Sequence, residues 1–544
     1  MILSDLLRWS RAALVLSLCS LIAACAAPEP SVEPETPPDG RPQRGGTAVL
    51  GTITDADSWN EYLSGQSFAG NLLRRIYLRL AQPQADREDR PQSYLPQLAE
   101  SWEFSEDRRS LTFTLRPALW SDGRPVVASD VRFTWQAQTS PDVPWSNVSS
   151  KEQITDVEVV DPRTVTFHFD RHYPDQLADA VEGGILPEHV FSEIPFESWK
   201  THDWSTMTVG SGPFLLHRHE PGHEIVLVRN PRYFEEGYPL LDKIVVRIVP
   251  DIGNLLTQTL TGEIDYLEGI APRDAHRLAS SSDVALIPFD YPKYDYIGWN
   301  GSRAPFDDPE LRRAMTLAID RQALVEDLLY GYGRVSTGPL LSFWWSANKS
   351  IEPWPYDPDE SRRILRRRGY ATVDDRGVAS EGKILEFELI TNTGNQLREE
   401  MLVKVQHQLS RVGIRAKLQP LEMRTLRQRV GSGDYDAYLG GWVFHGKADL
   451  KQLFGSESVV PRGMNIVHYH SAEVDSLLDS LDEARDWREM KPRLDAIQEQ
   501  IHEDQPYTFL YETKRLAVHG SRLSGVEIAV ASDPLARLER YAVK

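Results

Sequence analysis

The order of strand-forming and helix-forming segments is the feature that most constrains what this chain can fold into. Strand signals come first, at residues 46–54, 111–115 and 165–169, where β-branched and aromatic residues recur in near alternation. After Asp307 the pattern changes to helices separated by shorter strands. Such an order predicts an α/β protein, and 544 residues exceed what one core supports, so we expect at least two lobes.

Capping residues and glycines mark the predicted helix ends. The predicted helices span residues 308–331, 357–369, 397–412, 471–485 and 488–503. The first of them has Asp308 and Pro309 as its start signal and Gly331 as its end. A last strand signal at residues 507–511 suggests that the C-terminus returns to the first lobe.

The N-terminus predicts export. Two arginines precede an apolar run at residues 12–21, and small residues follow it before Cys25. This pattern is typical of a secretory signal, here residues 1–24, and the run is too short to span a bilayer. A cysteine directly after two alanines resembles the lipobox of bacterial lipoproteins, so Cys25 is the expected lipidation site. The alternative is an ordinary signal cut near Ala24, with Cys25 incidental.

Cysteine usage favours the lipoprotein interpretation. The chain has two cysteines, Cys19 in the apolar run and Cys25, so removal of the signal leaves one and no internal disulfide can form. Residues 25–45 are rich in Pro, Glu and Gly without apolar periodicity, and we expect a disordered tether there.

Net charge argues against nucleic acid as a partner. The formal net charge is −20 at pH 7, and binding to nucleic acid depends on neutralising phosphates with Lys and Arg. The arginine-dense segment 362–368 is interpreted as the solvated face of a helix. No second apolar run is long enough for a membrane span, so the membrane contact that we expect is the lipid anchor.

One enzyme motif is present in the sequence. Residues 219–223 (HEPGH) match H-E-x-x-H, which forms a zinc site only on a helix. Pro221 and Gly222 instead predict a turn between strands at residues 214–219 and 224–229. We therefore expect a protein that is not an enzyme and has no metal or cofactor, and a zinc metallohydrolase remains the alternative.

Aromatic residues indicate a small-molecule pocket. The chain has 14 Trp and 20 Tyr, and several stand beside Asn or Gly, as in Trp59-Asn60 and Gly441-Trp442. Aromatic rings with a few fixed polar groups are typical of ligand pockets. The alternative is that most of these rings pack in the core.

Eight segments resemble one family in its own order. They are the run from Tyr94 (YLPQLAESWEF), ILPEHV, GSGPF, RNPRYF, GEIDY, PFDDPELRRAMTLAIDR, YDPDESRRILRRRGY and GDYDAYLGGW. Together they resemble family 5 of the bacterial extracellular solute-binding proteins, which serve ABC importers and include oligopeptide and dipeptide receptors.

The resemblance implies a periplasmic-binding-protein-like α/β fold with two lobes around a hinge. Residues 46–298 would form the first lobe, with a subdomain inserted around residues 90–205. Residues 299–504 would form the second lobe, and residues 505–544 would return to the first. We expect a monomer that encloses its ligand between the lobes.

The resemblance also implies ligand contacts from both lobes. Peptide receptors of this family carry an aspartate three residues beyond the tryptophan that matches Trp442, where this chain has His445. A buried ammonium without an anionic partner is unfavourable, so ordinary peptides are a poorer fit than a neutral, anionic or sugar-like ligand. The predicted ligand-binding residues are Trp59, Asn60, Trp345, Trp442, His445, Asn465 and Tyr469.

The sequence therefore predicts an exported, lipid-anchored substrate-binding protein of an ABC importer, placed in the periplasm or at the cell surface. Its ligand would be a small solute that is peptide-like, opine-like or saccharide-like, and its partners would be the permease and ATPase subunits. A surface receptor without a transport role is the remaining alternative.

Overall fold

Strands and helices alternate along residues 44–85, 88–206, 209–444 and 448–544, which are the residues described by the computed structural model. The strands are β1 (Thr47–Thr52), β2 (Ala81–Pro83), β3 (Tyr94–Pro96), β4 (Ala99–Phe104), β5 (Ser110–Leu115), β6 (Ile154–Asp161), β7 (Thr164–Phe169), β8 (Phe214–Glu220), β9 (Glu224–Arg229), β10 (Lys243–Ile248), β11 (Tyr266–Glu268), β12 (Val284–Trp299), β13 (Gly333–Val335), β14 (Glu386–Asn392), β15 (Arg415–Leu421), β16 (Ala437–Val443), β17 (Tyr507–Gly520), β18 (Leu523–Ser524) and β19 (Ala542–Val543). The helices are α1 (Ser67–Ile76), α2 (Ala128–Thr139), α3 (Gln176–Val181), α4 (Glu188–Phe191), α5 (Ile252–Leu260), α6 (Pro272–Ala279), α7 (Pro309–Leu317), α8 (Arg321–Leu329), α9 (Pro358–Arg367), α10 (Gln396–Ser410), α11 (Met423–Gly431), α12 (Leu450–Phe454), α13 (Ala472–Leu481) and α14 (Trp487–Asp504).

Two long strands join the halves of the largest sheet in the described residues. The sheet runs in the order β15-β14-β16-β12-β17-β11-β1-β10-β9-β8, with β13 added beside β17. We call β12 and β17 the ribbon, because they pair antiparallel along most of their length. The first half-sheet is β11, β1, β10, β9 and β8, and the second is β16, β14 and β15.

The ribbon is irregular at its centre. Pairing between β12 and β17 shifts register between Asp290 and Tyr294, and again between Asp295 and Tyr296. We call residues 290–294 the ribbon centre. Bulges of this kind bend a strand pair and increase its twist, so the two half-sheets meet at a local bend.

A separate antiparallel sheet carries the early strand signals. Its order is β4-β5-β7-β6, and its inward side chains include Phe113 and Val165, both fully buried. The strands predicted at residues 111–115 and 165–169 are confirmed as β5 and β7. Alternation along a strand puts one set of side chains in the core, which is why these short segments could be predicted.

The prediction of one long helix over residues 308–331 is wrong in one respect, because the structure has two helices there, α7 and α8. Asp308 caps α7 as expected, with its Oδ1 accepting a hydrogen bond from the Glu310 amide at 2.9 Å. The break occurs at Asp320, whose carboxylate caps α8 by accepting from the Ala323 amide at 2.9 Å. A second capping residue inside the apolar pattern therefore starts a new helix.

The predicted hairpin is confirmed, whereas the last strand is longer than expected. β8 and β9 pair across the turn that contains Pro221 and Gly222. The strand signal at residues 507–511 is only the first part of β17, which has 14 residues. The 16-residue β12 was not predicted as a strand, because lysine and aspartate interrupt its apolar pattern near the ribbon centre.

The predictions for the N-terminus lie outside the described residues. The signal at residues 1–24, with the lipidation site Cys25, and nearly all of the tether at residues 25–45 fall there. None of the helices within the described ranges combines the length and apolar character that a membrane crossing needs.

Candidate functional site

Strands from the two half-sheets point toward the ribbon centre from opposite sides. β11 runs antiparallel to β17 beside its C-terminal part, whereas β16 runs in the same direction as β17, on the other side of β12. β11 therefore ends at Glu268 and β16 at Val443 on the two sides of the ribbon centre. Ligands of open α/β sheets bind at the carboxyl ends of strands, so this region is the candidate functional site.

A buried carboxylate faces two cations on the side of the second half-sheet. Asp295 of β12 is 1% exposed. Its Oδ1 accepts a hydrogen bond from Arg398 Nη2 at 2.9 Å, and its Oδ2 lies 2.7 Å from Lys293 Nζ. Burial raises the pKa of Asp295, but Lys293 and Arg398 outweigh burial and hold that pKa below its ordinary value. Two positive charges against one negative charge leave this trio, Asp295, Lys293 and Arg398, with an excess positive charge.

Glycine makes room for the trio. A Cβ atom at Gly441 of β16 would lie 2.6 Å from Asp295 Oδ1 and 2.8 Å from Arg398 Nη2. Arg398 is held further by the side chain of Asn392 at the end of β14, to which Nη1 donates at 2.9 Å. The second half-sheet thus presents a rigid, positively charged group beside the ribbon centre.

Trp442 lies on the other face of the same strand end. Its ring is near-parallel to the ring of Tyr296, with centroids 6.3 Å apart, and Tyr296 stacks on Tyr507 at 4.0 Å. The indole Nε1 donates to Tyr507 Oη at 3.3 Å. The predicted ligand contact Trp442 therefore belongs to an aromatic stack at the carboxyl end of β16.

Two other predicted residues stabilise their own loop. Both amide hydrogens of Asn465 donate to backbone carbonyls, of Gly455 at 3.0 Å and of Tyr469 at 2.8 Å. The hydroxyl of Tyr469 donates to Asp504. An amide nitrogen has two hydrogens, so Asn465 Nδ2 is fully used within the protein. Ligand contacts from these residues remain predictions.

The structure does not bring all predicted residues together. Trp345 makes an edge contact with Trp487 at the start of α14, with centroids 5.8 Å apart. His445 lies outside the described residues. The roles of both in ligand binding also remain predictions.

Trp59 and Asn60 lie in the loop that follows the carboxyl end of β1. The indole Nε1 of Trp59 donates to His219 Nδ1 at 3.0 Å, and His219 Nε2 lies 2.8 Å from Asp55 Oδ1. Asn60 is buried and its Oδ1 accepts from the Tyr62 amide at 3.0 Å. A cavity of about 550 Å³ opens beside Trp59 and His219. This loop is thus built by hydrogen bonds to the β8–β9 hairpin.

The same hairpin accounts for the HEPGH motif. His219 is on β8 and His223 is in the turn, so the two side chains do not share a helix face. Both ring nitrogens of His219 already have partners. Within the described residues no group of three or more His, Cys, Asp or Glu side chains is placed to hold a metal ion.

Sequence reasoning missed the charged residues at the ribbon centre. Lys293, Asp295 and Arg398 were not predicted, and neither was Glu268 at the end of β11. A charged residue inside an aromatic strand, as in the segment 293–296 (KYDY), was the available signal. It could not reveal the partner, because Arg398 is 103 positions away from Asp295.

Comparison with known proteins agrees with the fold. Residues 93–455 match the family model of bacterial extracellular solute-binding proteins, family 5 Middle. The chain is 29% identical over 505 residues to the oligopeptide-binding protein AppA of Bacillus subtilis, covering 91% of each chain. It is 27% identical over 446 residues to the glutathione-binding protein GsiB of Salmonella typhi, covering 79% of this chain and 82% of GsiB.

The solved structure of Bacillus subtilis AppA in complex with a nonapeptide is similar to this structure. The TM-score is 0.74 at 27% identity, over 93% of this chain and all of that one. The fold is therefore that of the two-lobed periplasmic binding proteins. The chain belongs to family 5 of the bacterial extracellular solute-binding proteins, a family of binding proteins and not of enzymes, so the metallohydrolase alternative is set aside.

Proposed function

We propose that this protein captures a small solute at the ribbon centre and delivers it to the permease of an ABC importer. The observation that carries the proposal is the convergence of β11 and β16, from opposite half-sheets, on one irregular stretch of the ribbon. A solute bound there would contact both lobes. Contacts made to both lobes stabilise a closed state relative to an open one.

The ribbon centre is the proposed hinge. Arg334 of β13 contacts Asp290 of β12, and its Nε lies 3.7 Å from Glu512 Oε2 of β17. The Glu512 carboxylate also accepts hydrogen bonds from the amide and hydroxyl of Ser342, at 2.8 and 2.6 Å. These contacts hold the two ribbon strands together at the point where their pairing is interrupted. Bending at this point would move one half-sheet relative to the other.

The proposed ligand carries a carboxylate. Lys293 and Arg398 share the single charge of Asp295, and this excess positive charge is offset when an anion binds. Two relatives bind solutes that carry carboxylates, an oligopeptide and glutathione. Among the three ligand types predicted from sequence, this favours the peptide-like and opine-like types over a neutral saccharide.

The charge argument is tested with a conservative variant. Lys293→Met leaves Arg398 to neutralise Asp295, so the fold is retained while the excess charge is removed. Lys417→Met, on exposed β15 of the same half-sheet, is the matched control. Any solute that copurifies with the wild type is identified by mass spectrometry, and its affinity for each variant is measured by calorimetry. We expect Lys293→Met to weaken binding about tenfold, as for the loss of one charge-assisted hydrogen bond, and the control to bind normally.

Closure is tested by solution scattering of the wild type with and without that solute. A smaller radius of gyration on saturation is the expected result. An unchanged radius of gyration at saturation would contradict closure. If the copurifying solute is neutral and binds Lys293→Met as tightly as Lys417→Met, the proposal that the ligand carries a carboxylate is contradicted.

The proposed anchor is a lipid on Cys25, at the end of a tether of about twenty residues, which can reach on the order of 60 Å if extended. Tethering raises the local concentration of loaded protein at the permease. In cells, Cys25→Ser is expected to shift the protein from the membrane fraction to the soluble fraction and to abolish incorporation of labelled palmitate. Retention of both by the variant would contradict the anchor.

A further inference from the structure

The ring of His219 joins the loop after β1 to the β8–β9 hairpin. Its Nδ1 accepts a hydrogen bond from the indole Nε1 of Trp59 at 3.0 Å, and its Nε2 lies 2.8 Å from Asp55 Oδ1. The His219 side chain is only 10% exposed, and Trp59 is 4% exposed. We call these three residues, Asp55, Trp59 and His219, the His219 network.

The two contacts fix the protonation state of the ring. An indole N–H can only donate, so Nδ1 of His219 must be without a proton in order to accept from Trp59. A carboxylate can only accept, so the proton of the neutral ring is on Nε2, where it points to Asp55. The network is therefore complete only when His219 is neutral.

Protonation of His219 would put a second N–H donor on Nδ1, directly against the indole N–H of Trp59. Two donors cannot form a hydrogen bond, so Trp59 would lose its partner. A buried donor without a partner is unfavourable, and the indole would therefore have to move. The cavity of about 550 Å³ beside both rings provides the room for this movement.

Asp55 keeps its charge while the ring gains one. Burial raises the pKa of Asp55, but hydrogen bonds from the Gly222 amide, from His219 and from the Ala56 amide outweigh burial and hold that pKa below its ordinary value. The Gly222 amide donates to Asp55 Oδ2 at 2.7 Å. A protonated His219 thus keeps its contact with Asp55 and gives up the contact with Trp59.

Other ionisable side chains lie around the ring. Those that line the cavity with it are Asp57, Lys200, His202 and Asp203. The hairpin adds Glu220 and Glu224, which both pair with Arg218, and the exposed His223. Around the cavity the carboxylates, with Asp55, outnumber the lysine, and an excess of negative charge favours a cation at His219. This attraction and the hydrogen bond from Trp59 therefore oppose each other.

We infer that the His219 network is an acid-sensitive switch, which holds Trp59 when His219 is neutral and releases it when His219 is protonated. Histidine suits this role, because its ring is the side chain that ordinarily changes charge between about pH 5 and 8. The HEPGH segment thereby has a role other than metal binding. It carries His219 and the turn whose Gly222 amide holds Asp55.

The switch would change the first-lobe side of the candidate site. Trp59 is in the loop that follows β1, and β1 pairs in parallel with β11, so this loop starts from the same sheet edge as Glu268. Release of Trp59 would loosen the loop, and a solute held between the lobes would bind less tightly in acid. This consequence rests on the proposed function, whereas the switch itself does not.

The experiment follows the two rings by NMR between pH 7.5 and pH 5 in the protein without added solute. The indole N–H resonance of Trp59 is identified by its loss in Trp59→Phe, and the ring resonances of His219 by their loss in His219→Gln. In the wild type we expect the Trp59 resonance to shift with the same midpoint as the His219 ring.

His219→Gln is the main variant, because a glutamine amide can accept from Trp59 and donate to Asp55 without titrating. It should remove the pH-dependent shift of the Trp59 resonance. His202→Gln is the matched control, since it removes the other histidine that lines the cavity. It should keep the wild-type shift.

Trp59→Phe tests the same coupling from the other side. It removes the N–H that opposes protonation, so the midpoint of the His219 titration should move to higher pH by about 0.7 pH unit, a roughly fivefold change for one ordinary hydrogen bond. Trp204→Phe is the control, because its Nε1 donates to the Trp199 carbonyl oxygen at 2.9 Å and not to His219. It should leave the midpoint unchanged.

Several results would overturn the inference. They are a Trp59 resonance that stays constant while His219 titrates, a His219 ring that stays neutral down to pH 5, and a midpoint that is unchanged in Trp59→Phe. A shift that persists in His219→Gln would also overturn it. Each readout uses the protein without added solute, so failure of the switch is distinguishable from failure of solute capture, which calorimetry and scattering test.

Discussion

Arg398 and Asp295 are joined at the end of the second half-sheet, with Arg398 Nη2 and Nε 2.9 and 3.2 Å from Asp295 Oδ1. The pair connects the first turn of α10 to β12 beside the ribbon centre. Because Asp295 is almost fully buried, its charge depends on these contacts and on Lys293. The pair therefore supports both the stability of the fold and the charge of the proposed site.

Arg398→Met is expected to reduce the free energy of unfolding by about 3 kcal/mol, because breaking a buried ion pair leaves its partner charge poorly compensated. Guanidinium-induced unfolding measures the change. Arg411→Met, on the exposed side just beyond α10, should change stability by less than about 0.5 kcal/mol. Equal effects of the two substitutions would argue against the structural role of Arg398.

Stability should depend on the ionisation of Asp295. Its folded pKa lies below the ordinary aspartate value, so its contribution is fully present above the unfolded pKa and is lost as pH falls through the folded pKa. In Asp295→Asn this part of the acid dependence should disappear. The Tm of the wild type and of Asp295→Asn is measured from pH 7 to pH 3. The difference between the two Tm values should become smaller as the pH falls. A difference that stays constant would contradict this role of Asp295.

Gly441→Ala is expected to destabilise the protein by about 2 kcal/mol through overpacking. The new Cβ would meet Asp295 Oδ1, Arg398 Nη2 and, at 3.0 Å, the carbonyl oxygen of Tyr294. Gly70→Ala in α1 is the matched control, because its Cβ would meet nothing within 4 Å. There the substitution should stabilise by about 0.5 to 1 kcal/mol. Denaturant midpoints of the two variants should thus move in opposite directions.

Glu268→Gln should make the ligand-free protein more stable at neutral pH. Burial raises the pKa of Glu268, so the stability gained by protonation is present at low pH and is lost as pH rises through the folded pKa. The amide avoids that loss, and we expect a rise in Tm of a few degrees at pH 8 that vanishes in acid. A lower Tm at pH 8 would mean that Glu268 stabilises the fold as a charged group.

Metal removal should have no effect on stability. EDTA treatment and zinc addition should leave the Tm unchanged, because both ring nitrogens of His219 are already hydrogen-bonded or paired. His223→Ala, in the turn, should behave like the wild type. Stoichiometric zinc in the purified protein, lost in His223→Ala, would contradict this prediction.

Local features were predictable because their causes are local. Pro221 and Gly222 favour a turn between two strands, and Asp308 followed by Pro309 favours the start of a helix. The sequence does not predict the break at Asp320. The apolar periodicity continues across this residue and indicates one long helix, although Asp320 is also a suitable capping residue for a second helix. The order of the family segments also identified the family without any structural information.

The charged residues of the site could not be predicted in the same way. A strand side chain has only two possible faces, but which neighbours it meets depends on register, and here the register shifts twice near Asp295. Predicted contacts such as Asn465 proved to have local hydrogen-bond partners, whereas Glu268 lacks a donor at one oxygen. Neither property is visible in a single sequence.

By itself, the sequence determined the class of protein, the α/β architecture, the hairpin and the starts of five of the fourteen helices in the described residues, since these depend on short-range propensity and on segment order. The tertiary structure alone decided that Asp295 meets Lys293 and Arg398, and that Glu268 lies across the ribbon centre from them. The physical reason is that these contacts arise from pairing between strands far apart in the chain, whose register and bulges are set by the packing of the whole sheet.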